Sequence, residues 1–570
     1  MKTLHPLLRG SRFLFVLSML CSAASALCDM LSPQIIRVAV DVVLGDSAPE
    51  GVLATALAGH LTGMGACALA ILLVALTKAF AQYGFRVANT AASERLVKTA
   101  RDQLFEHIEH LPYSWHTQHR TGDIIQRCTS DLETLRGFIS EQMTGILRIL
   151  ILLTLSVVFM FSMNTKLSVV ALSPVPVIIA YSFFFHRKIG EAFLACDENE
   201  GILSSIAQEN LAGVRVVRAF GRERFERDRF YRQNEHYTQM WMKLARPLAS
   251  FWSIGDVLSG TQILLTVCYG AVLCVRGEML PGAYIAFLSY AALMTWPVRM
   301  LGRMISQMSK AGVSLDRLSE ILNAEVEKNP ENPATTDYSG DITFEGVSFS
   351  YGGRDVLSNL SFTVPGGTTL GILGGTGSGK STVTLLLDRL YAPDRGSIRI
   401  GGVDLQDLDA AELRRHVSMV LQEPFLFSRS LADNIAISGG DDAEEALRAA
   451  CLTDVDPGTF VGERGVTLSG GQKQRAAIAR ALVRDTPILV LDDSLSAVDT
   501  ETDAAIRANL REKGSGRTVI IISHRIATLR TADHILVLDD GHVVQEGSHA
   551  ELSRQPGLYR QVCEIQEMTA

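Results

Sequence analysis

The stretch Gly371-Ile-Leu-Gly-Gly-Thr-Gly-Ser-Gly-Lys-Ser-Thr382 carries G-x-x-x-x-G-K-S from Gly374 to Ser381. Such spacing suits phosphate chemistry. Glycines let the backbone curl so that successive N–H groups point at phosphate oxygens. Gly374, Gly375, Thr376, Gly377, Ser378, Gly379, Lys380, Ser381 and Thr382 form the candidate cradle. Lys380 is placed to reach terminal phosphates, and the Ser381 hydroxyl to take a Mg²⁺ ion. A second acidic element lies downstream. Ile488-Leu-Val-Leu-Asp492 is an apolar run ending in a carboxylate, suited to the Mg²⁺ shell beside those phosphates. Leu468-Ser-Gly-Gly-Gln472 opens an Arg- and Ala-rich helix (Gln474 to Val483), so Ser469, Gly470, Gly471 and Gln472 form a further phosphate site at a helix start. One triphosphate has no use for two such sites in one domain. A head-to-tail pair of domains does.

The elements that must position these groups follow from their flanks. An apolar run, Thr369 to Leu373, reads as a strand entering the loop, and Thr382 to Leu390 reads as the helix leaving it. Ile342–Phe349 and Leu360–Val364 precede it as further strands.

Composition then separates this α/β region from the rest. The chain has 570 residues, 47% hydrophobic, with a net charge of −8. That length exceeds one core, and the absence of a basic block argues against a nucleic-acid partner. Six apolar stretches long enough to span a bilayer fall at roughly 12–38, 53–82, 140–162, 167–188, 247–275 and 280–308. Lys2, Arg9 and Arg12 ahead of Phe13–Leu20, with Ala24-Ser25-Ala26 beyond, imitate a signal peptide. Apolar character continues through Leu31 and Ile36, which favours an uncleaved first span. The nine cysteines form no C-x-x-C pair and read as small buried hydrophobes in a reducing compartment.

The connections after the second and fourth spans are long and polar. Arg187 to Arg246 contains eleven Lys/Arg, which places the long loops, the N-terminus and the C-terminal domain in the cytoplasm. Ala92–Leu111 has helical spacing and no Gly or Pro, so it should continue the second span. Pro112 and Thr121-Gly122-Asp123 bracket a short crossing element, and a second lies near residues 209–223. Asn323–Gly340, with Asn329-Pro330 and Asn332-Pro333, reads as a linker. The expected organisation is a membrane α-helical domain over 1–322, six transmembrane helices with cytoplasmic extensions, then a linker over 323–340. A P-loop α/β ATPase domain follows over 341–570.

The phosphate loop, the Leu468–Gln472 signature and the Asp492 strand together resemble the nucleotide-binding domain of an ABC transporter. Nearly the whole chain resembles an exporter-type half-transporter, including the crossing segments and Trp296–Ser306. The resemblance implies ATP and Mg²⁺ as cofactors. It implies that Tyr351 stacks on adenine and that Gln422 touches Mg²⁺ and senses the membrane domain. It implies further that His524 contacts the γ-phosphate, that Ser496-Ala-Val-Asp499 forms the loop following the acidic strand, and that Val461–Gly465 meets the partner's crossing loops. Ser469, Gly470, Gly471 and Gln472 would contact the partner's nucleotide. Metal contacts would be Ser381, Gln422 and Asp492. Three departures stand out: Asp493 where most such exporters place a catalytic glutamate, a short interval over 449–461, and Gly375 where proline is common. Aspartate is one methylene shorter, and a misplacement of about 1 Å costs on the order of 10²-fold in rate. The chain's own site should therefore bind ATP and hydrolyse it poorly, with Asp493, Gln422 and His524 as its catalytic group. This resembles one half of a heterodimeric multidrug exporter; a slow homodimer is the alternative.

Among ionisable residues in the spans, Asp256 is a candidate for cation contact, while Arg299 and Arg303 suit structural or interfacial roles; Arg148 lies in the third span. Trp252, Tyr269, Tyr284, Phe287 and Trp296 could line a pocket for amphipathic compounds. The expected function is ATP-driven export of small hydrophobic or amphipathic molecules across the cytoplasmic membrane by half of a dimer in the lipid bilayer. A lipid or glycolipid flippase with the same engine is the second reading. Six spans argue against an ATPase acting on nucleic acid, and a peptide exporter with a leading protease domain does not fit the sequence before the first span.

Overall fold

Long apolar runs with few helix breakers make the regular elements described in the N-terminal unit helical. The computed structural model describes residues 10–45, 52–495, 498–513 and 516–569. Six long helices dominate this unit: α1 (Arg12–Leu44), α2 (Met64–Glu109), α3 (Thr121–Met163), α4 (Thr165–Ala212), α5 (Glu223–Val275) and α6 (Pro281–Leu322). Among the described residues, α1 to α5 are long and apolar enough to cross a membrane. The helices outrun the predicted spans because the polar connections are helical too. The 46 residues of α2 extend over about 70 Å, against about 30 Å of hydrocarbon. Its start differs from expectation. Val52–Ala58 is a separate short helix, and the chain breaks at Gly59–Gly63 before α2 begins. Two glycines within five residues, each costing about 1 kcal/mol in a helix, account for the interruption; Gly63 is fully extended (φ −164°, ψ 163°).

Buried polar contacts fix the helices to one another. The Asp41 carboxylate accepts from the N–H groups of Gly282 (2.6 Å) and Ala283 (2.9 Å), donors otherwise orphaned at the start of α6. A Cβ at Gly282 would run into that carboxylate. Tyr290 on α6 donates to the Met30 carbonyl (2.7 Å) and accepts from Gln34 (2.9 Å), both on α1.

The second compact unit comprises Glu325–Ala570 together with the crossing segment Leu111–Gln118. It contains two sheets. One is antiparallel, in the order β2-β1-β4-β5, from β1 (Ile342–Tyr351), β2 (Arg354–Val364), β4 (Arg395–Ile400) and β5 (Val403–Asp404). The other has the order β10-β9-β3-β8-β7-β6, from β3 (Thr369–Gly374), β6 (Val417–Val420), β7 (Ile488–Asp492), β8 (Thr518–Ile522), β9 (His534–Asp539) and β10 (His542–Gly547). In this sheet β6, β7, β8, β3 and β9 run parallel, with β10 antiparallel at the edge. The parallel strands end on one edge, where ligands of open α/β sheets collect. Between the sheets lies a core including Phe344, Leu360, Ile372 and Val490, with Phe344 stacked on Phe362 at 4.5 Å.

Residues after Glu325 are laid onto this unit although they lack periodicity. Arg414 grips Glu327 with two bonds (2.6 and 2.8 Å), and Arg389 donates to the Lys328 carbonyl (2.7 Å). Ala334 N–H reaches the Asp407 carbonyl (2.8 Å), and the Tyr338 and His416 rings stack at 4.0 Å.

Candidate functional site

β3 delivers the chain to the phosphate loop, which turns through two left-handed glycines, Gly377 (φ +84°) and Gly379 (φ +94°). An L side chain resists that conformation. Gly374 has a different reason: its Cβ would collide with the Leu538 carbonyl on β9 and with Ser378. Nothing crowds Gly375. The following helix, α7 (Lys380–Leu387), begins two residues before the predicted Thr382 and ends before Leu390, because Gly379 supplies the turn and Lys380 already takes helical geometry. Lys380 folds back over the loop, its ammonium donating to the carbonyls of Gly374 (2.9 Å) and Gly375 (2.6 Å). Burial pushes its pKa down, opposed by the carboxylates of Asp492 and Asp493. The hydrogen bonds of this buried ammonium go to loop oxygens, the two carbonyls and the Ser378 hydroxyl at 3.5 Å, and an incoming anionic phosphate would supply its counter-charge.

β7 is buried along its length and ends at Asp492, next to β8 and one strand removed from β3. Burial raises the Asp492 pKa, while a hydrogen bond from Ser381 and the charges of Lys380 and His524 pull it down. Ser381 and Asp492 thus bring two hard oxygen donors into contact. That donor set fits Mg²⁺, which takes one or two carboxylates alongside substrate phosphates. Asp493 follows in a left-handed conformation (φ +43°), its N–H bonded to the Ile522 carbonyl of β8 (2.9 Å).

These elements enclose a cavity of about 520 Å³. Of the sequence-predicted residues, Tyr351, Thr376, Gly377, Gly379, Lys380, Ser381, Thr382, Gln422, Asp492, Asp493 and His524 line it. Gly374, Gly375 and Ser378 shape the loop behind it. Five lining residues are not singled out by the sequence: Arg354, Asp355, Val356, Ile522 and Asp540. The only signal for the first three was their place after the Gly352-Gly353 turn that follows Tyr351. Ser496 and Ala497 of the predicted loop after the acidic strand lie outside the described residues.

Ser469, Gly470, Gly471 and Gln472 line a different surface, the start of α8 (Gly470–Leu482). Ser469 caps the helix by accepting from the Gln472 N–H (3.3 Å), and Gln472 returns the bond to the Ser469 N–H (2.9 Å). The short 449–461 interval braces this turn: Asp454 accepts from the Gln472 side chain (2.8 Å) and faces Arg475.

Known proteins match most of the chain. Residues 15–298 match the model of the ABC transporter transmembrane region, and residues 357–496 match that of the ABC transporter family. The chain is 37% identical to the probable multidrug resistance ABC transporter ATP-binding/permease protein YheI of Bacillus subtilis over 83% of each chain. It belongs to the ABC transporters. It is also 35% identical to the ATP-dependent lipid A-core flippase of Aromatoleum aromaticum, covering 87% of this chain and 85% of that protein. A solved bacterial Atm1-family ABC exporter with ATP bound superimposes with a TM-score of 0.81 at 26% identity, covering 98% of this chain and 99% of that one. This ABC transporter is a multi-pass membrane protein of exporter fold, and its C-terminal domain is an ATP-binding ATPase coupled to transport.

In the membrane unit of the transporter, Asp256, Arg299 and Arg148 each contact a side chain of opposite charge. Arg299 is buried and donates to Asp256 (2.7 Å), with its guanidinium 5.2 Å from the centre of the Trp252 ring. Asp256, a candidate for contacting a cation, contacts one supplied by the protein. Gly255 makes room: a Cβ there would sit 2.6 Å from the guanidinium. Arg148 and Lys78 share Asp29, at 3.3 and 2.5 Å. The side chain of Arg303 lies outside the described residues. Of the candidate pocket aromatics, Trp252 joins Phe193, Phe251, His186, Arg299 and Lys310 around a cavity of about 580 Å³. Phe287 is packed in the helix core, Tyr284 is tied to the Val267 carbonyl (3.1 Å), and Trp296 is exposed.

Proposed function

We propose that this chain is one half of a dimeric ABC exporter, preferentially a heterodimer, that drives small hydrophobic or amphipathic molecules out across the cytoplasmic membrane. The observation carrying this reading is the single cavity that gathers the phosphate loop, Gln422, Asp492, Asp493, His524 and Tyr351. In it, loop N–H groups and Lys380 bind the phosphates, and Tyr351 stacks on adenine. Ser381, Gln422 and Asp492 would hold Mg²⁺, which when bound neutralises charge building on the phosphates. His524 contacts the γ-phosphate. Asp493 orients water, and its short carboxylate makes this a slow site. Ser469, Gly470, Gly471 and Gln472 complete the partner's site, where faster hydrolysis resets the machine. The nucleotide domain, linker and membrane domain follow the division 341–570, 323–340 and 1–322.

The test is ATPase activity of the purified full chain alone and with its partner. The chain alone should bind ATP, lose binding on Lys380→Ala, and turn over slowly. Robust turnover by the chain alone, unchanged by Asp493→Asn, would sink the slow-site reading.

A second reading, a lipid or glycolipid flippase, is supported by the flippase relatives and by the aromatic cavity carrying Arg299, Lys310 and His186. Stimulation of the ATPase by lipid A but not by a cationic drug dye would select it.

A further inference from the structure

Tyr391 follows the phosphate-loop helix and belongs to none of the roles above. Its ring makes three contacts within the C-terminal unit. It meets Tyr351 edge-to-face at 5.3 Å (83°), Phe349 at 5.3 Å (54°) and Tyr113 edge-to-face at 5.5 Å (88°). Its hydroxyl lies 3.2 Å from the hydroxyl of Thr117. Tyr113 and Thr117 are four apart on the crossing helix Tyr113–Gln118, so both project from one face of it. That helix is separated by three residues from the end of α2 at Glu109 and by two from the start of α3 at Thr121. At its other end the aromatic row reaches the nucleotide cavity, where Tyr351 is a lining residue.

We infer that Tyr391 is a positioning residue that reports adenine occupancy to the crossing helix, through the ring series Tyr351–Tyr391–Tyr113. The inference rests on the reading of the cavity as an ATP site with Tyr351 against the base. Edge-to-face pairs are orientation-specific and worth about 0.5–1.5 kcal/mol each beyond their buried area. Tyr351 is 38% exposed, with its ring edge-to-face on Phe349 at 4.8 Å and its hydroxyl 3.5 Å from that of Thr382. A stacked adenine restricts that ring. The restriction orders Tyr391, which packs against it, and Tyr391 then narrows the positions open to Tyr113 and Thr117. Binding that orders one end of a packed row lowers the cost of ordering the other. Linkage makes the effect reciprocal: any state of the membrane helices that displaces the crossing helix alters nucleotide affinity by the same factor. The base, and not only the phosphates, thereby acts on the first crossing helix.

Hydrogen exchange on the full chain in lipid nanodiscs separates base from phosphate. Mg-ADP and Mg-tripolyphosphate are compared, each at a concentration that protects 374–382. ADP should slow exchange over 111–118 at least threefold, and tripolyphosphate should leave it unchanged. Tyr391→Leu should keep ADP protection of 374–382 and lose that of 111–118, while Tyr391→Phe keeps most of both. Equal protection of 111–118 by tripolyphosphate, or an undiminished ADP response in Tyr391→Leu, overturns the relay. If Tyr391→Leu does not fold, Tyr113→Leu at the far end tests the same loss, and the two-ligand comparison stands on the wild-type chain alone. Failure of ADP to protect 374–382 in the wild type overturns the ATP-site reading itself, and the relay with it.

Discussion

Asp493 has two distinguishing properties, a shortened side chain and a left-handed backbone (φ +43°). Asp tolerates that conformation better than most residues because its short carboxylate bonds locally. Asp493→Glu should therefore separate rate from stability. Turnover in the chain's own site should rise at least tenfold, and the melting temperature should fall by the equivalent of about 1 kcal/mol of backbone strain. ATPase assays and calorimetry on one preparation check both. Gly255 is a second residue whose identity is fixed by its neighbour. Gly255→Ala should push the Arg299 guanidinium off Asp256 and lower the melting temperature, and Arg299→Leu in the same chain should recover part of the loss. A Gly255→Ala chain as stable as the wild type would show that the pair is dispensable.

At the scale of elements, the docked segment after Glu325 holds a pH-sensitive contact. Asp388 closes α7 beside Arg414 and Glu327. The residue keeps some solvent exposure, yet the protein packed around its carboxyl dominates and pushes its pKa up to about 7; Arg414 pulls down and Glu327 pushes up. The folded protein therefore holds a proton that the unfolded chain, with its ordinary carboxylate, releases near pH 4. That contribution to stability is complete below about pH 4 and is lost as pH climbs through about 7. Asp388→Asn should flatten the stability profile between pH 5 and 8, read by thermal unfolding. The alternation of apolar runs and Gly-rich turns made the strands around the phosphate loop legible from sequence, and the 20-residue apolar stretches made the spans legible. The helix break at Gly59–Gly63 was not, since hydropathy averages over it. Nor were Arg354 and Asp540 in the cavity. Arg354 opens β2 and Asp540 sits in the turn between β9 and β10, and only the closure of β3, β9 and the β1–β2 hairpin around the loop brings them to it. Asp256 and Arg299 could be singled out as costly charges, but nothing in their spacing reveals that each is the other's partner.

For the whole molecule, the phosphate loop and the signature at Ser469–Gln472 occupy separate surfaces of one domain, as a head-to-tail pair requires. Ser469→Arg should leave ATP binding at the chain's own loop intact and cut turnover of the assembled dimer at least tenfold, measured by nucleotide affinity and ATPase activity on the same complex. Unchanged turnover would remove the signature from the partner's site. The welded stretch between Glu325 and Asp341 also decides where the molecule can be divided. A fragment beginning at Asp341 would leave Arg414 facing no Glu327, deprive Arg389 of the Lys328 carbonyl and uncover the His416 ring that Tyr338 shields. A fragment beginning at Glu325 keeps all three contacts, so soluble expression of the isolated ATPase should depend on those sixteen or so residues, although none of them lines the cavity at the phosphate loop.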